Sequence, residues 1–446
     1  LESLRAELYG LAAEATGVFG TGEPFPLDAR VDWEFTAAGS PLTGSGKLSG
    51  DLANLRFEQV VRLPSPVSVG GVARLLQDRP EVFAEARWTG LERPLGADPG
   101  LLLRSATGRL RVRGWTDRFT ADLAAALRLG DWPGAQVAAT LEGDPRQVRV
   151  PDLRVDGCGG RGAGGGGVTL RDAVAGTFRL GGQRIDPAFV DPRFAGRVDF
   201  SSEVSFDDGG NFRVVLPEAR GTLFDRPLRA SGTVARAGPV LSFADVRVQA
   251  GANRVEFSGQ WGDRLTGQFR IDAPELATLW PDVRGRLRGT GTVGGTAARP
   301  ALDLDLVGSE LATGDLRIGS LQARGGLDAR QRLAFDAAAE GIAYAGQPVG
   351  NLTLGVAGPV SGYALQLALT GGEVEVELGG TGSYRDGIIT QNVATGLVTV
   401  PGDQRWSLRE PATVRVAGRE VAVTAHCWAL GDAELCLAES GAGAQG

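Results

Sequence analysis

Apolar and polar residues alternate with a period of two along most of this chain, which limits the folds it can adopt. Successive side chains of a β-strand point to opposite faces, so each run places aliphatic groups on one face and polar or small groups on the other. Clear runs lie at 110–113, 246–249, 269–272, 302–306, 365–369 and 373–378. The pattern predicts an all-β fold of antiparallel strands with one apolar face, and roughly 40 strands at about 10–12 residues per strand and turn.

Helical patterns are sparse. Residues 1–15 place Leu1, Leu4, Leu8 and Leu11 on one helical face, which predicts a short amphipathic helix. Residues 71–78 and 274–280 have the composition of two helical turns each. These segments are the few short helices expected in the fold.

A longer repeat is also present in the sequence. Residues 97–112, 185–200 and 271–289 each carry a proline near the start, a short apolar patch and a Gly-Arg-aliphatic strand opening. Their glycines, Gly108, Gly196 and Gly285, lie 88 and 89 residues apart. Repeats of this kind rely on their neighbours to cover apolar surface. We therefore expect a helical segment at 1–25, a continuous repetitive β-groove at 26–440 and a tail at 441–446.

Charge and residue usage exclude several classes of function. The net charge is −7 and the two signs are interspersed, so no nucleic-acid partner is expected. A Ser-His-Asp or Cys-His site would have to use the single histidine, His426, which lies in an alternating run. Three cysteines and one histidine are too widely spread for a zinc site with four ligands. We expect a protein that is not an enzyme and needs no cofactor or metal.

Two glycine motifs resemble nucleotide-binding loops. Residues 289–294 fit G-x-G-x-x-G, but no helix follows that would hold a pyrophosphate, so a hairpin loop is expected there. Residues 157–167 lack the Lys-Ser/Thr of a phosphate-binding loop, and we expect a flexible or closely packed turn region. Acidic rows such as Asp303 with Asp305 are expected on the solvated face of ordinary strands.

The cysteine pair near the end of the chain gives the sharpest local prediction. If Gly431-Asp432 forms a two-residue turn, then residue 430 faces 433 and Cys427 faces Cys436. Opposed positions that are not hydrogen-bonded bring α-carbons within disulfide range. A Cys427–Cys436 disulfide is predicted, which implies an oxidising compartment, whereas Cys158 is left as a free thiol. The alternative is two free thiols in a reducing compartment.

Targeting segments are not evident. The chain contains no methionine, no apolar run of the ~20 residues that a membrane-spanning helix needs, and no signal-peptide pattern. We expect Leu1 to be an internal start and any anchor to lie outside this segment.

Four features together resemble the TamB family, whose members are bridge-like proteins of the bacterial envelope. They are the apolar patch and strand opening within 273–308, the strand spacing through 320–380, the Trp-x-Leu-x-x-Pro-Ala segment at 406–412, and the Cys-Trp…Leu-Cys-Leu hairpin at 427–437. No single motif is highly specific, but their order is. The resemblance covers most of the chain and is clearest from about 150 to 440, and it identifies the chain as an interior section of a longer protein.

This resemblance implies a β-taco, an elongated open U-shaped groove of antiparallel strands with an apolar interior. It further implies a periplasmic position in a Gram-negative bacterium, anchored to the inner membrane by a missing segment. The implied partners are phospholipid acyl chains and an outer-membrane Omp85-class partner (TamA-like), docked through regions outside this chain. Phospholipid transport is the function expected first, and a scaffold or chaperone for outer-membrane protein assembly is the alternative.

The expected groove-lining residues are the aliphatic and aromatic members of the alternating runs. The alternative for each is that it packs against the facing wall and never contacts lipid. They are Leu110, Val112, Val246, Val248, Phe269, Ile271, Leu302, Leu304, Leu306, Leu365, Leu367, Val374, Val376, Leu378, Val414 and Val416.

Overall fold

A computed structural model describes most of the chain. The described residues are 3–8, 11–37, 40–51, 53–63, 65–74, 81–94, 102–115, 117–170, 173–280, 282–418 and 420–442. Backbone contacts divide the chain into two units, Leu1–Asp225 and Arg226–Gly446.

Unit 1 consists of strands and one short 3-10 turn, Pro187–Phe189, among its described residues. Its strands are β1 Ser3–Leu8, β2 Leu11–Phe19, β3 Leu27–Ala37, β4 Ser40–Gly50, β5 Asn54–Leu63, β6 Ser65–Arg74, β7 Glu81–Pro94, β8 Leu102–Trp115, β9 Arg118–Leu129, β10 Ala135–Asp144, β11 Gln147–Gly157, β12 Gly160–Thr169, β13 Ala175–Ile185, β14 Gly196–Asp207 and β15 Phe212–Leu223.

Unit 2 also consists of strands, and its described residues include one 3-10 turn, Leu276–Thr278. Its strands are β16 Arg226–Ala237, β17 Val240–Ala250, β18 Asn253–Trp261, β19 Thr266–Ala273, β20 Val283–Gly295, β21 Pro300–Thr313, β22 Leu316–Leu327, β23 Arg332–Tyr344, β24 Gln347–Pro359, β25 Tyr363–Thr370, β26 Glu375–Arg385, β27 Ile388–Val400, β28 Gln404–Leu408, β29 Ala412–Ala417, β30 Glu420–Val423, β31 His426–Leu430, β32 Ala433–Leu437 and β33 Ser440–Ala442.

Each unit is an open antiparallel sheet in which most strands pair with the next strand along the chain, as β24 pairs with β25. The prediction of an all-β antiparallel fold is confirmed. In the last part of unit 2, β27 pairs through one half with β28 and through the other with β29. The β28–β31 and β29–β30 pairings continue this arrangement, so these short strands are halves of strands broken in the middle.

The helix predicted over 1–15 is wrong. Of its described residues, 3–8 belong to β1 and 11–15 to β2, and these strands form a hairpin in which Leu8 lies opposite Leu11. A short helix gains little stability in water, whereas the hairpin joins a sheet through β3. Of the 71–78 segment, residues 71–74 belong to β6 and 75–78 lie outside the described residues, while 274–280 forms a single 3-10 turn instead of two α-helical turns.

Both glycine motifs lie in strands. The hairpin loop predicted at 289–294 is wrong, because these residues are inside β20. The turn predicted over 157–167 is limited to Cys158 and Gly159, and the rest of the tract forms β12 and the end of β11. Among the described helical segments, none is long and apolar enough to cross a membrane.

The two 3-10 turns fall at the same place in two copies of the sequence repeat. Each follows a strand and precedes the strand that carries the repeat glycine, Gly196 in β14 and Gly285 in β20. In unit 2 the fully buried Asn253 fixes this turn, because its amide donates to the Glu275 carbonyl oxygen at 2.7 Å and accepts from the Glu275 N–H at 2.9 Å. Leu276, 3% exposed, is thereby held against the sheet.

Candidate functional site

Strand register in unit 2 aligns apolar side chains into lanes that run across successive strands. Directly opposed residues of an antiparallel pair point to the same face, so a chain of register partners traces one line on that face. The Ile271 lane consists of Val248, Val255, Ile271, Gly289, Leu306, Ala323, Ala337, Leu354, Leu367, Leu378 and Gly396. It contains no polar side chain from β17 to β27.

Two further lanes flank it on the same face. The Phe269 lane consists of Val246, Phe257, Phe269, Gly291, Leu304, Gly325, Phe335, Val356, Leu365, Gly380 and Val393. The Val376 lane consists of Ala273, Leu287, Gly308, Leu321, Ala339, Leu352, Leu369, Val376, Val398 and Trp406. Together the three lanes form a continuous apolar face on unit 2.

The structure brings most of the predicted groove residues of unit 2 onto this face. Those in the three lanes are Val246, Val248, Phe269, Ile271, Leu304, Leu306, Leu365, Leu367, Val376 and Leu378. Val414 and Val416 extend the face onto β29, where they lie opposite Gln391 and Ile389.

Two predicted residues have more open positions. Leu302 lies between Val293 and Leu327 on the same face but is 39% exposed. Val374 lies in a bend before β26 begins and is 41% exposed. The alternating run predicted from residue 373 therefore starts as a strand only at Glu375.

In unit 1, Leu110 and Val112 lie on adjacent lanes of β8. Leu110 is opposite Ala86 and Leu123, and Val112 is opposite Ala84 and Ala121. The lane of Leu110 also contains Gln59, whose side-chain oxygen accepts a hydrogen bond from the Trp33 indole N–H at 3.2 Å. The apolar face of unit 1 is therefore interrupted by satisfied polar groups.

The residues of the Ile271 lane are all half-buried. Their neighbours along the sheet cover their flanks, but within the described residues of unit 2 no α-helix lies over them. A sheet normally covers such a face with a second layer. This face can therefore bind further apolar groups, and its three lanes would make no polar or ionic contacts with them.

Aromatic side chains on these faces lie over glycines of the neighbouring strand, an arrangement that the alternation within each strand does not predict. A Cβ added at each glycine would lie within 3.0 Å of the opposing ring. The pairs are Trp33–Gly44, Phe57–Gly71, Trp88–Gly108, Phe178–Gly166, Phe200–Gly182, Phe206–Gly176, Phe269–Gly291 and Tyr363–Gly382. The sequence signal for such a pair is a glycine on the apolar face of one strand and an aromatic residue at the directly opposed position of the next strand.

The opposite face of each unit is polar and carries cross-strand ion pairs. Asp305 pairs with Arg324 at 2.8 Å, so this member of the acidic row is paired on the outer face as expected. Glu85 pairs with Arg111 at 2.6 Å, and this contact lowers the pKa of the carboxyl below its ordinary value. Concavities on this face, such as one of about 940 Å³ that includes Asp305, Arg324 and Glu377, are lined by charges of both signs and do not select one ligand charge.

The predicted disulfide is present. Cys427 and Cys436 are bonded and their α-carbons lie 4.1 Å apart. The register matches the prediction, with Leu430 opposite Ala433, and Gly431 has the positive φ of 57° that the turn requires. Cys158 is free and half-buried, and burial raises the pKa of its thiol.

Donor groups near the disulfide do not make a metal site or a catalytic pair. Cys427, Glu434 and Cys436 have donor atoms within 4.8 Å of one another, but both sulfurs are consumed by the disulfide. The Nδ1 atom of His426 lies 2.8 Å from the carbonyl oxygen of Thr424, and the ring packs edge-on against Trp428. These contacts give His426 a structural role in the hairpin.

Comparison with known proteins identifies the family. Residues 1–446 match the family model described as "TamB, N-terminal domain". The chain belongs to the TamB family. It is 24% identical over 327 residues to the translocation and assembly module subunit TamB of Haemophilus influenzae, and this match covers 70% of the chain. The aligned part is 25% of the relative, so this TamB-family chain spans about a quarter of that protein.

Proposed function

We propose that this chain is a section of a periplasmic bridge-like protein that carries phospholipids between the inner and outer membranes along its apolar face. The observation that carries the proposal is the uninterrupted Ile271 lane, flanked by two further apolar lanes. A lipid tail laid along these lanes would supply the layer that covers the face.

The energetics of apolar contact suit this role. Burial of one methylene group contributes about 0.8 kcal/mol, so binding grows with tail length without polar recognition. Neighbouring lane positions are about 4.8 Å apart, one strand spacing, and successive positions offer similar surfaces. A tail can then move by a strand spacing without a large change in free energy, which a conduit requires.

The wider setting is part of the proposal. The protein would act in a Gram-negative envelope, with an inner-membrane anchor and an Omp85-class outer-membrane partner contacted by regions outside this chain. Acyl chains are the ligand, and no catalytic step, cofactor or nucleic acid is involved. The predicted oxidising compartment agrees with the Cys427–Cys436 disulfide.

Site-specific photocrosslinking in cells tests the proposal on matched positions. A photoreactive residue at Leu304 or Val376, on the apolar face, is expected to capture phospholipid. The same residue at Asp303 or Glu375, one position away on the outer face, is the control and should capture little. Capture at the outer positions alone, or no lipid by mass spectrometry of the purified chain, would refute lipid carriage.

A second candidate is a scaffold or chaperone for outer-membrane protein assembly. The name of the Haemophilus influenzae relative, a translocation and assembly module subunit, favours it. This role predicts crosslinks between strand residues and β-barrel precursors, with no co-purifying phospholipid. The same crosslinked samples, analysed for both peptides and lipids, separate the two functions.

A further inference from the structure

The aromatic–glycine pairs have a consequence for the depth of the apolar face. An aromatic side chain that stands upright on a sheet reduces the space above its neighbours. Where the opposing residue is glycine, the ring occupies the space of the missing side chain and lies along the sheet. Phe269 does this over Gly291, which is buried beneath the ring.

We propose that these pairs set the height of free space that the apolar face leaves for an acyl chain. In unit 2, Phe269–Gly291 is one such pair. This inference rests on the proposed function. Gly291 lies in the Phe269 lane with Leu304 on its other side, so a ring lifted here would stand directly in the path of a tail.

The geometry gives the direction and size of the effect. A Cβ at Gly291 would lie within 3.0 Å of two Phe269 ring carbons and of the Asp303 carbonyl oxygen, whereas carbon atoms rest at about 3.5–4.0 Å from one another. The ring would therefore move by about 1–1.6 Å. Because the backbone of the sheet lies beneath it, the movement must include a component towards the space above the face.

The sheet offers a matched control. Gly355 in β24 lies on the outer face, and a Cβ there would come no closer than 3.6 Å to its nearest neighbour, the Asp336 carboxylate. Gly355→Ala therefore adds the same methyl group to a strand without touching an aromatic ring.

The test measures phospholipid bound per purified chain, by mass spectrometry, together with the midpoint of thermal unfolding. Gly291→Ala is expected to lower bound phospholipid roughly fourfold, the equivalent of one lost methylene contact. Gly355→Ala should bind as the native chain does. Phe269→Leu removes part of the apolar lane and sets its own reference level of binding. The double variant Phe269→Leu/Gly291→Ala should bind as Phe269→Leu does, because neither has a ring that can be raised.

The outcomes separate this inference from the proposed function. If the native chain binds no phospholipid, the proposed function fails. If the native chain binds but Gly291→Ala binds equally, or if Gly291→Ala lowers only the unfolding midpoint, the pairs serve sheet packing and the inference is overturned. Weaker binding by the double variant than by Phe269→Leu would also overturn it, because the loss would then come from the contact of the added methyl group with the Asp303 carbonyl and not from the ring.

Discussion

A polar substitution in the Ile271 lane gives the most direct test of the apolar face. Leu367 lies between Leu354 and Leu378, and its side chain is half-buried. Full burial of a leucine contributes about 1.5–3 kcal/mol, so Leu367→Gln should lower the stability of unit 2 by only about 1 kcal/mol. The sheet should remain folded.

The effect on lipid binding should be larger than the effect on folding. With lane neighbours about 4.8 Å away on each side, Leu367 would face on the order of three methylenes of a bound tail. Loss of three such contacts costs about 2.4 kcal/mol, or roughly 50-fold in affinity. The adjacent residue Ala368 points to the outer face, so Ala368→Gln introduces the same side chain without entering the lane.

The assay is equilibrium binding of a fluorescent phospholipid to the purified chain, with circular dichroism to confirm that each variant is folded. Leu367→Gln should bind far more weakly than Ala368→Gln, which should match the native chain. Equal affinity of the two folded variants would refute the assignment of the lane as the lipid surface.

Three further predictions concern stability and titration. Reduction of the Cys427–Cys436 disulfide, or replacement of both cysteines by serine, should destabilise the terminal hairpin by about 2–3 kcal/mol, since the bond closes a loop with a sequence separation of 9. Hydrogen exchange should show lost amide protection at 426–437, and unchanged exchange would contradict the prediction. Asn253→Ala should lower the free energy of unfolding by about 1–3 kcal/mol, because it leaves the Glu275 N–H without its partner and removes one of the two hydrogen bonds that the Glu275 carbonyl accepts, and chemical denaturation measures this loss. The pKa of Asp191 is lowered from 3.8 to about 2, chiefly by the Arg193 side chain, so its stabilising effect is present above pH 4 and is lost as the pH falls towards 2. NMR titration of the carboxyl should show this low pKa, and Arg193→Ala should raise the pKa towards the ordinary range, with the backbone N–H of residue 193 still lowering it in part.

Local sequence patterns were sufficient to predict the structure where a short segment fixes its own strand pairing. The alternation at 302–306 gives strand β21 and the correct face for Leu304 and Leu306, because the pleat of a strand has a fixed period. The Cys427–Cys436 bond followed from the two-residue turn alone, since the turn sets the register of its hairpin.

The same patterns failed to predict a strand where the neighbouring strands, and not the segment itself, decide its structure. The glycine tract of β12 has few side chains of its own, and glycine usually weakens a strand. Its neighbours β11 and β13 supply the pairing, and Phe178 fills the space above Gly166. The glycine tract itself carries neither the strand pairing nor the position of the Phe178 ring, because both come from residues outside it.

The sequence by itself determined that the chain forms antiparallel strands with one apolar and one polar face, because side-chain alternation is a property of each strand. It also determined the family resemblance and the disulfide. Only the tertiary structure decided that the apolar residues join into lanes and that rings lie over glycines, because both depend on the register between neighbouring strands, which the pattern within one strand does not set. A shift of one residue in any pairing would turn that strand's apolar side chains to the other face.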